Sequence, residues 1–187
     1  MGKFDFKIAI RYGLLGFMAV IVLGLIMYLF YQNIFSSFIL SGLIGFLSFG
    51  ITLFLGIWSG VTYRRENLQV ISFAQAFIAV YTVFVLAALG NIASNLLINK
   101  VIDKEYAQKV SIIFKDKMES YLEKQNVPEE KIKEALDKIN PEKFNPPLSK
   151  LAQNFAVTIV IMGVIALIAA AFIKRNSSDL ISTPTLS

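Results

Sequence analysis

The chain has 187 residues, of which 56% are hydrophobic and only 17% are charged, a composition far outside that of soluble domains. It contains neither cysteine nor histidine, which excludes disulfides, thiol nucleophiles, Cys/His zinc sites and imidazole acid–base chemistry. The net charge of +5 does not indicate a nucleic-acid partner, because seven of the 18 basic residues stand at the ends of apolar segments, where lipid headgroups are expected.

The first apolar segment runs from Leu14 to Tyr31 and is preceded by Lys3, Lys7 and Arg11. Its length of about 18 residues is just sufficient to cross the hydrocarbon core. Aromatic residues follow it where a cleavage site would need small ones, so we expect an uncleaved membrane span. The uncharged link 32–36 would then cross to the second span at little cost.

The second apolar segment, Ser36 to Arg65, is an uninterrupted helix that ends in two arginines. Small residues recur on one of its faces and would let another helix approach closely, as is usual in membranes. We therefore expect this helix at the centre of a bundle. The helix-packing residues on this face are Ser41, Gly45, Ser48, Thr52, Gly56 and Ser59.

Two further spans follow. Ser72 and Gln75 have the spacing of a capping box, which predicts a third span from Phe73 to Ile98. The fourth span is predicted from Leu151 to Ile173, and we expect its small-residue face to pack on the second or the first span. The residues of that face are Ala152, Ala156, Gly163 and Ala170.

Residues 100–150 have a different composition, rich in lysine and acidic residues, which predicts an extramembrane helical hairpin. Its first helix carries an apolar stripe, and Pro128 begins a second helix that ends at Asn140-Pro141. The stripe is expected either to pack on the second helix, at Ile132, Leu136 and Ile139, or to dock a partner. Its members are Tyr106, Val110, Phe114, Met118 and Tyr121.

The predicted fold is thus all-α, a four-transmembrane-helix bundle with an extramembrane helical hairpin between helices three and four. We divide the chain into spans one to three (residues 1–99), the hairpin (100–150), span four (151–175) and a disordered tail (176–187). Basic flanks all fall on one side, which predicts cytoplasmic termini in a bacterial inner membrane and a periplasmic hairpin. These flanking residues are Lys3, Lys7, Arg11, Arg64, Arg65, Lys174 and Arg175.

The sequence TYRRENLQVISFAQAF, from Thr62 to Phe77, resembles the bacterial, Bacteroidetes-type membrane family called domain of unknown function 4199. The resemblance rests on the basic hinge with its tyrosine, on the start of helix three and on the charged segment before the last helix. It departs from the family at Leu68, Gln69 and Lys104, where the family often has glycine or proline. The resemblance implies a four-helix inner-membrane protein connected with the cell envelope or lipid-linked glycans, without an established activity.

Two sets of residues are candidate contacts with a partner or with lipid. The hinge residues Tyr63, Arg64 and Arg65 include guanidinium groups, which suit phosphate or carboxylate, although the orientation signal alone also explains arginines there. The hairpin residues Tyr106, Phe114 and Tyr121 are the aromatic members of the stripe.

The apolar cores of the four spans contain no Asp, Glu, Lys or Arg, which argues against a proton-coupled pump. These cores run from Leu14 to Tyr31, Phe38 to Val61, Phe73 to Ile98 and Leu151 to Ile173. The acidic residues of the hairpin lie in helical surface patterns, so we expect no enzyme, no cofactor and no metal site. The expected function is a non-enzymatic accessory or interaction subunit of a membrane assembly. Its partners would be the lipid bilayer and a membrane protein or a second copy. The alternative is a small transporter or lipid-handling protein for uncharged or lipid-like substrates.

Overall fold

The computed structural model describes residues 6–67 and 70–175, and this part of the chain is all-α. A π-helix, Leu97–Ile102, extends α4, and a 3-10 turn, Pro141–Lys143, precedes α7. The predicted disordered tail lies outside the described residues. The helices are α1 (Phe6–Leu29), α2 (Tyr31–Phe35), α3 (Phe38–Glu66), α4 (Phe73–Leu96), α5 (Tyr106–Lys124), α6 (Glu129–Asp137) and α7 (Leu148–Ile173).

Four helices have the length and hydropathy that a membrane span requires: α1, α3, α4 with its π-helix, and α7. The amphipathic helices α5 and α6 stand between the third and the fourth of them. The predicted fold class, a four-span bundle with a helical hairpin, is therefore confirmed. The capping box that begins the third span is also confirmed, since Gln75 N donates to Ser72 Oγ and Ser72 N donates to Gln75 Oε1.

The central helix is α4, so the prediction that the second span lies at the centre is wrong. α4 packs against each of the other three spans. In the most apolar 18-residue window of each helix, 39% of the α4 residues are buried, against 6% for α3. Small residues on the buried face of α4 let its neighbours approach closely, since Gly90 lies against α1 and Ala79 against α3.

Glycines bring α1 and α4 into the closest contact of the bundle. A Cβ atom on Gly90 of α4 would lie 2.7 Å from the carbonyl oxygen of Phe17, and backbone cannot move aside as a side chain can. On α1, a Cβ on Gly13 would meet Leu86 and one on Gly24 would meet Ser94. The glycines of the first span therefore do mediate close packing, with α4 as the partner.

The small-residue face of α3 packs over only its second half. Gly56 and Ser59 are buried against α4, where Ser59 Oγ donates to Ala79 O at 3.3 Å. Thr52 is buried as well. Gly45, in the first half, is exposed, and no atom lies within 4 Å of where its Cβ would stand. Ser41 and Ser48, also in the first half, are half-buried.

α7 packs chiefly on α4, and the prediction that it docks on the second or first span is wrong in that respect. Ala170 is fully buried in the core, and a Cβ on Gly163 would make ordinary contact with Tyr81 of α4. Ala152 and Ala156 are exposed, so the predicted small-residue face is used only in the second half of α7. In this half, Ala166 and Ala169 pack in one core cluster with Ala79 of α4, because small side chains on both helices permit close approach.

One end of the bundle, which we call the basic end, holds the beginning of α1, the end of α3, the beginning of α4 and the end of α7. Ile71 and Arg175 form an antiparallel bridge there, with N–O distances of 3.0 and 3.1 Å. Tyr12 of α1 is hydrogen-bonded to Thr62 of α3. The opposite end, next to α5 and α6, is the hairpin end.

The hairpin leans on the membrane domain of its own chain. Tyr106 packs edge-to-face on Tyr28 and Tyr31, at the end of the first span and in α2. Phe114 packs on Phe38, at the beginning of α3. The aromatic residues of the α5 stripe thus contact α2 and the ends of the first two spans, and α5 also packs on α6.

Candidate functional site: a cleft at the hairpin end

A cleft lies between the first halves of α3 and α7, with α4 as its back wall. Its volume is about 420 Å³, within the range of about 300–1,000 Å³ that is typical of small-molecule sites. α3 and α7 meet at the basic end, where a Cβ on Gly60 would touch Ile173. No atom lies within 4 Å of the Cβ position of Gly45, which lines the cleft, and the cleft is open between the two helices near the hairpin end.

Each of the three walls contributes two polar side chains one helical turn apart. Residues four positions apart lie on the same face of a helix, so each pair points in one direction. The pairs converge on the same space from three helices, which isolated polar residues at helix ends would not do. The six residues are Ser48 and Thr52 on α3, Asn91 and Asn95 on α4, and Asn154 and Thr158 on α7.

Several of these groups lie at membrane depth. At a rise of 1.5 Å per residue, Thr158 stands about 22 Å along α7 from Ile173, and Ser48 about 24 Å along α3 from Arg64. Both distances are shorter than the hydrocarbon thickness of about 30 Å. Asn91, about 27 Å along α4 from Phe73, lies near the same boundary. By this measure Ser48, Asn91 and Thr158 fall within about 30 Å of the basic end, and Asn95, about 33 Å along α4 from Phe73, falls beyond it.

The side chains of Ser48, Asn91, Asn154 and Thr158 make no hydrogen bond within the described part of the chain. A polar group that faces hydrocarbon without a hydrogen bond costs free energy, of the order of several kcal/mol. Thr52 differs, because its hydroxyl donates to the Ser48 carbonyl of its own helix at 3.0 Å. The other four groups need hydrogen-bond partners from outside the chain.

The end of the cleft nearest the hairpin is formed by the segment that precedes α7. The amide nitrogens of Asn95 and Asn99 both donate to Phe144 O, at 3.1 and 3.2 Å, and hold this segment on α4. Asn99 belongs to the π-helix and is only 2% exposed. Its Oδ1 and that of Asn95 are buried and accept no hydrogen bond from the described residues. The two amides therefore fix the segment with their donors alone.

Lys143 and Pro146 of this segment line the cleft. Lys143 is the only charged residue among the lining residues, and it makes no ion pair within the described chain. The lining residues of α4 and α7 nearest the basic end, Phe84 and Met162, are apolar, and Phe49, Leu151 and Phe155 stand among the polar side chains. From the hairpin end inward, the cleft thus presents a cation, then amides and hydroxyls mixed with apolar side chains, then hydrocarbon.

The predicted hinge residues lie at the basic end, far along the bundle from the cleft. Arg64 Nη1 donates to Ile173 O at 3.2 Å, at the carboxyl end of α7, where a cation also complements the helix dipole. Tyr63 is 2% exposed and belongs to the core. Arg65 is exposed. Of the three, Arg65 is the residue most accessible to lipid headgroups or a partner.

The predicted hairpin contacts differ in accessibility. Tyr106 is 7% exposed and covered by its own chain, so a partner could reach its ring only by displacing α1 and α2. Phe114 is half-buried between Phe38 and Phe144. Tyr121, which touches Phe38, is 49% exposed and is the member of this set that remains open.

Ionisable groups at the start of the hairpin are tied together. Lys109 Nζ lies 2.8 Å from Asp103 Oδ2, and this hydrogen bond holds the pKa of Asp103 below its ordinary value and that of Lys109 above it. Burial, with smaller contributions from Tyr28 and Tyr31, raises the pKa of Tyr106 to about 12. Tyr106 is therefore neutral at physiological pH, and the Asp103–Lys109 pair ties the first turn of α5 to the residue that follows the π-helix.

The fold and the cleft define a multi-pass membrane protein with four spans and a laterally open polar cavity. The family model described as "Protein of unknown function (DUF4199)" matches residues 11–175, and the chain belongs to this family. The resemblance seen at Thr62 to Phe77 is thereby confirmed. No curated protein and no solved structure matches the chain.

The sequence did contain a signal for the cleft. Three spans each have two polar residues at a spacing of four, near the end that adjoins the hairpin. By themselves, Asn91 and Asn95 also fit helix–helix hydrogen bonds or hydrated positions near a helix end. What the sequence could not show is that α3 and α7 separate there, because that depends on how both pack against α4.

Proposed function

We propose that this chain is a non-enzymatic membrane protein that handles lipid, and that it binds the polar part of an amphipathic, lipid-like molecule in the cleft of α3, α4 and α7. The observation that carries the proposal is the set of unpaired polar side chains on Ser48, Asn91, Asn154 and Thr158 around a laterally open cavity. A lipid can enter such a cavity from the bilayer without crossing water. Its ester or hydroxyl groups would supply the missing hydrogen bonds.

The order of the lining residues supports an amphipathic ligand over a wholly polar one. The polar side chains lie near the hairpin end, and Phe84 and Met162 lie deeper. Among the lining residues, Lys143 is the only titratable side chain, so the cleft lacks the acid–base pair that hydrolysis or transfer would use. Binding, presentation or passage of a lipid is the chemistry that these residues support.

The proposal can be tested by filling the cleft with a larger side chain. Gly45→Leu introduces a side chain at a lining position where no atom lies within 4 Å, so the helix itself should tolerate it. The matched control is Gly42→Leu, on the same helix, also without an atom within 4 Å but outside the cleft. Both proteins would be purified in mild detergent, and native mass spectrometry would measure the lipid that each retains.

We expect the Gly42 variant to retain lipid like the unmodified chain, and the Gly45 variant to lose most of it. Equal retention by all three proteins would contradict the proposal, because bound lipid would then be elsewhere on the surface. Absence of retained lipid from every variant, in detergent and in nanodiscs, would contradict it as well.

A second candidate function is the accessory subunit predicted from the sequence. The observation in its favour is that α3 exposes Gly42 and Gly45, with nothing of its own chain packed on either. Small residues exposed on a membrane helix permit close approach of another helix, from a partner protein or a second copy. A stoichiometric companion after purification from native membranes would support this candidate, and a lone protein would count against it.

The sidedness of the chain is also a proposal. The described basic flanks Lys7, Arg11, Arg64 and Arg65, together with Lys174 and Arg175, meet at the basic end, which we place in the cytoplasm of a bacterium. The hairpin and the cleft would then face the periplasmic side of the inner membrane, which fits a role in the cell envelope. Because the chain has no cysteine, Lys124→Cys gives a single labelling site. Labelling of that site from the cytoplasm alone would contradict this orientation.

A further inference from the structure

We propose that the ligand of the cleft carries an anionic, phosphate-type headgroup held by Lys143, and that its acyl chain leaves between α3 and α7 into the bilayer. This inference rests on the proposed lipid-binding function and adds the headgroup chemistry to it. The juxtaposition that carries it is a single unpaired cation at one end of a polar cavity that is open to lipid at the side.

The lining residues of the cleft carry a net positive charge, which favours an anionic ligand. Eighteen residues line the cleft, and they include one lysine and no carboxylate. Glu142 precedes Lys143 in the chain but is neither a lining residue nor within ion-pair distance of it. An ammonium group among neutral amides and hydroxyls favours an anion, and it gains nothing from a zwitterion's cationic part.

The backbone that carries Lys143 is fixed in place. The next residue, Phe144, accepts hydrogen bonds from two side chains of α4 and its π-helix, Asn95 and Asn99. Phe144 also packs edge-to-face on Phe35 and Phe114. A turn held at its backbone and through an aromatic ring keeps the lysine at the cleft, which reduces the entropy lost when a ligand binds.

The depth of the lining residues also fits a phospholipid. Lys143 lies outside the spans, and the lining residues of α4 and α7 nearest the basic end, Phe84 and Met162, are apolar. A phosphate would lie at Lys143, the glycerol and ester oxygens beside Asn91 and Asn154, and the acyl chain beside Phe84 and Met162. A cleft of about 420 Å³ would hold the headgroup region and part of a chain, so the rest must extend through the lateral opening.

The test compares two lipids that share acyl chains and differ in headgroup charge. The purified full-length chain would be placed in nanodiscs and titrated with phosphatidylglycerol or with diacylglycerol, which lacks the phosphate, with native mass spectrometry of the ejected complex as the readout. A charge-assisted hydrogen bond should favour the anionic lipid by about tenfold. Lys143→Gln should abolish that preference and leave diacylglycerol binding unchanged.

The matched control is Lys150→Gln, an exposed lysine at the start of α7 that does not line the cleft. This control should keep the preference, which separates a specific contact from the general attraction of basic residues for anionic lipid. Circular dichroism and gel filtration would show that both variants fold, as their surface positions predict.

The remaining outcomes separate this inference from the function on which it rests. Binding of both lipids without a preference, or a preference that survives Lys143→Gln, would overturn the anionic headgroup and leave lipid binding standing. Competition by soluble glycerol 3-phosphate at the same affinity would identify a free phosphate ester as the ligand and overturn the lipid assignment. If neither lipid binds, the proposed function fails and the inference fails with it.

Discussion

The two ends of this bundle differ in how their helices are held together. At the basic end, all four spans meet, and Arg64, Ile71 and Arg175 join the last turns of α3 and α7 to the start of α4. At the hairpin end, α3 and α7 separate, and polar side chains face the space between them. The comparison shows that small and polar residues have opposite roles on the same helix, depending on whether a neighbour is present.

α3 shows this difference along its own length. Gly56 lets α3 approach α4, and Ser59 forms a hydrogen bond to the α4 backbone. Gly45 and Ser48 belong to the same face, but they line a cavity. A closed end provides the rigidity of the bundle, and an open end provides a place where a ligand can enter.

The largest expected effect comes from adding volume to α3 at each end. Gly56→Leu should destabilise the bundle by about 3 kcal/mol, at the upper limit for overpacking, because even a Cβ would lie 2.6 Å from the Phe84 ring. Gly42→Leu should change stability by less than about 0.5 kcal/mol, as an exposed surface substitution does. Unfolding in mixed detergent micelles would measure both, and equal effects would contradict the contrast between the two ends.

The next effect concerns the attachment of the hairpin. Asn99→Ala removes the hydrogen bonds that its amide donates to Asn95 O and Phe144 O, and it should cost about 2 kcal/mol, in the range for buried hydrogen bonds. Hydrogen exchange should increase in the 3-10 turn and in α5. Asn140→Ala is the control, because Asn140 is exposed and its side chain makes no capping hydrogen bond. Unchanged exchange in the Asn99 variant would show that packing alone holds the hairpin.

A smaller loss of stability is expected when a contact at the basic end is removed. Arg64→Ala removes the charge-assisted hydrogen bond to Ile173 O and should lower stability by about 1.5 kcal/mol. Arg65→Ala is the matched control, one residue further on, exposed and expected to leave stability within about 0.5 kcal/mol. Thermal unfolding followed by circular dichroism would measure both. If the control were the more damaging change, the closure of this end would depend on a contact other than the one to α7.

Hydropathy and capping were sufficient to predict the elements of this fold. The four spans, the capping box at Ser72 and the hairpin helices all depend on local sequence, so they could be read from composition and spacing. Which helix lies at the centre of the bundle could not be read in this way. α3 and α4 both carry small residues, and only the three-dimensional fit shows that Ala79, Gly90 and their neighbours are the ones covered on all sides.

The candidate site was predictable only in part for the same reason. The sequence drew attention to arginines and aromatic residues, but Arg64 caps α7 and Tyr106 is buried against α1 and α2. Lys143 was inconspicuous among the many lysines of its segment. Its position at the cleft depends on Asn95 and Asn99, which bring that segment onto α4 from about 45 residues away.

The smallest expected effect is a pH dependence at the hairpin end. The hydrogen bond from Lys109 lowers the pKa of Asp103 below 3.8, so the ion pair stabilises the folded chain above that pH and the contribution is lost as pH falls through the lowered pKa. The same bond raises the pKa of Lys109 above 10.5, so the contribution is complete below that value and is lost as pH rises through the raised pKa.

Stability should therefore contain a constant contribution from this pair between about pH 5 and pH 9. Thermal midpoints of the unmodified chain and of Asp103→Asn, measured from pH 7 down to about pH 2, should differ at pH 7 and converge as pH falls through the lowered pKa of Asp103. Asp116→Asn, an exposed carboxylate without an ion pair in the described chain, should follow the unmodified chain more closely. Parallel curves for Asp103→Asn would mean that the pair forms in the unfolded state as readily as in the folded one. The attachment of the hairpin would then depend only on its aromatic contacts and on the two asparagines that hold Phe144.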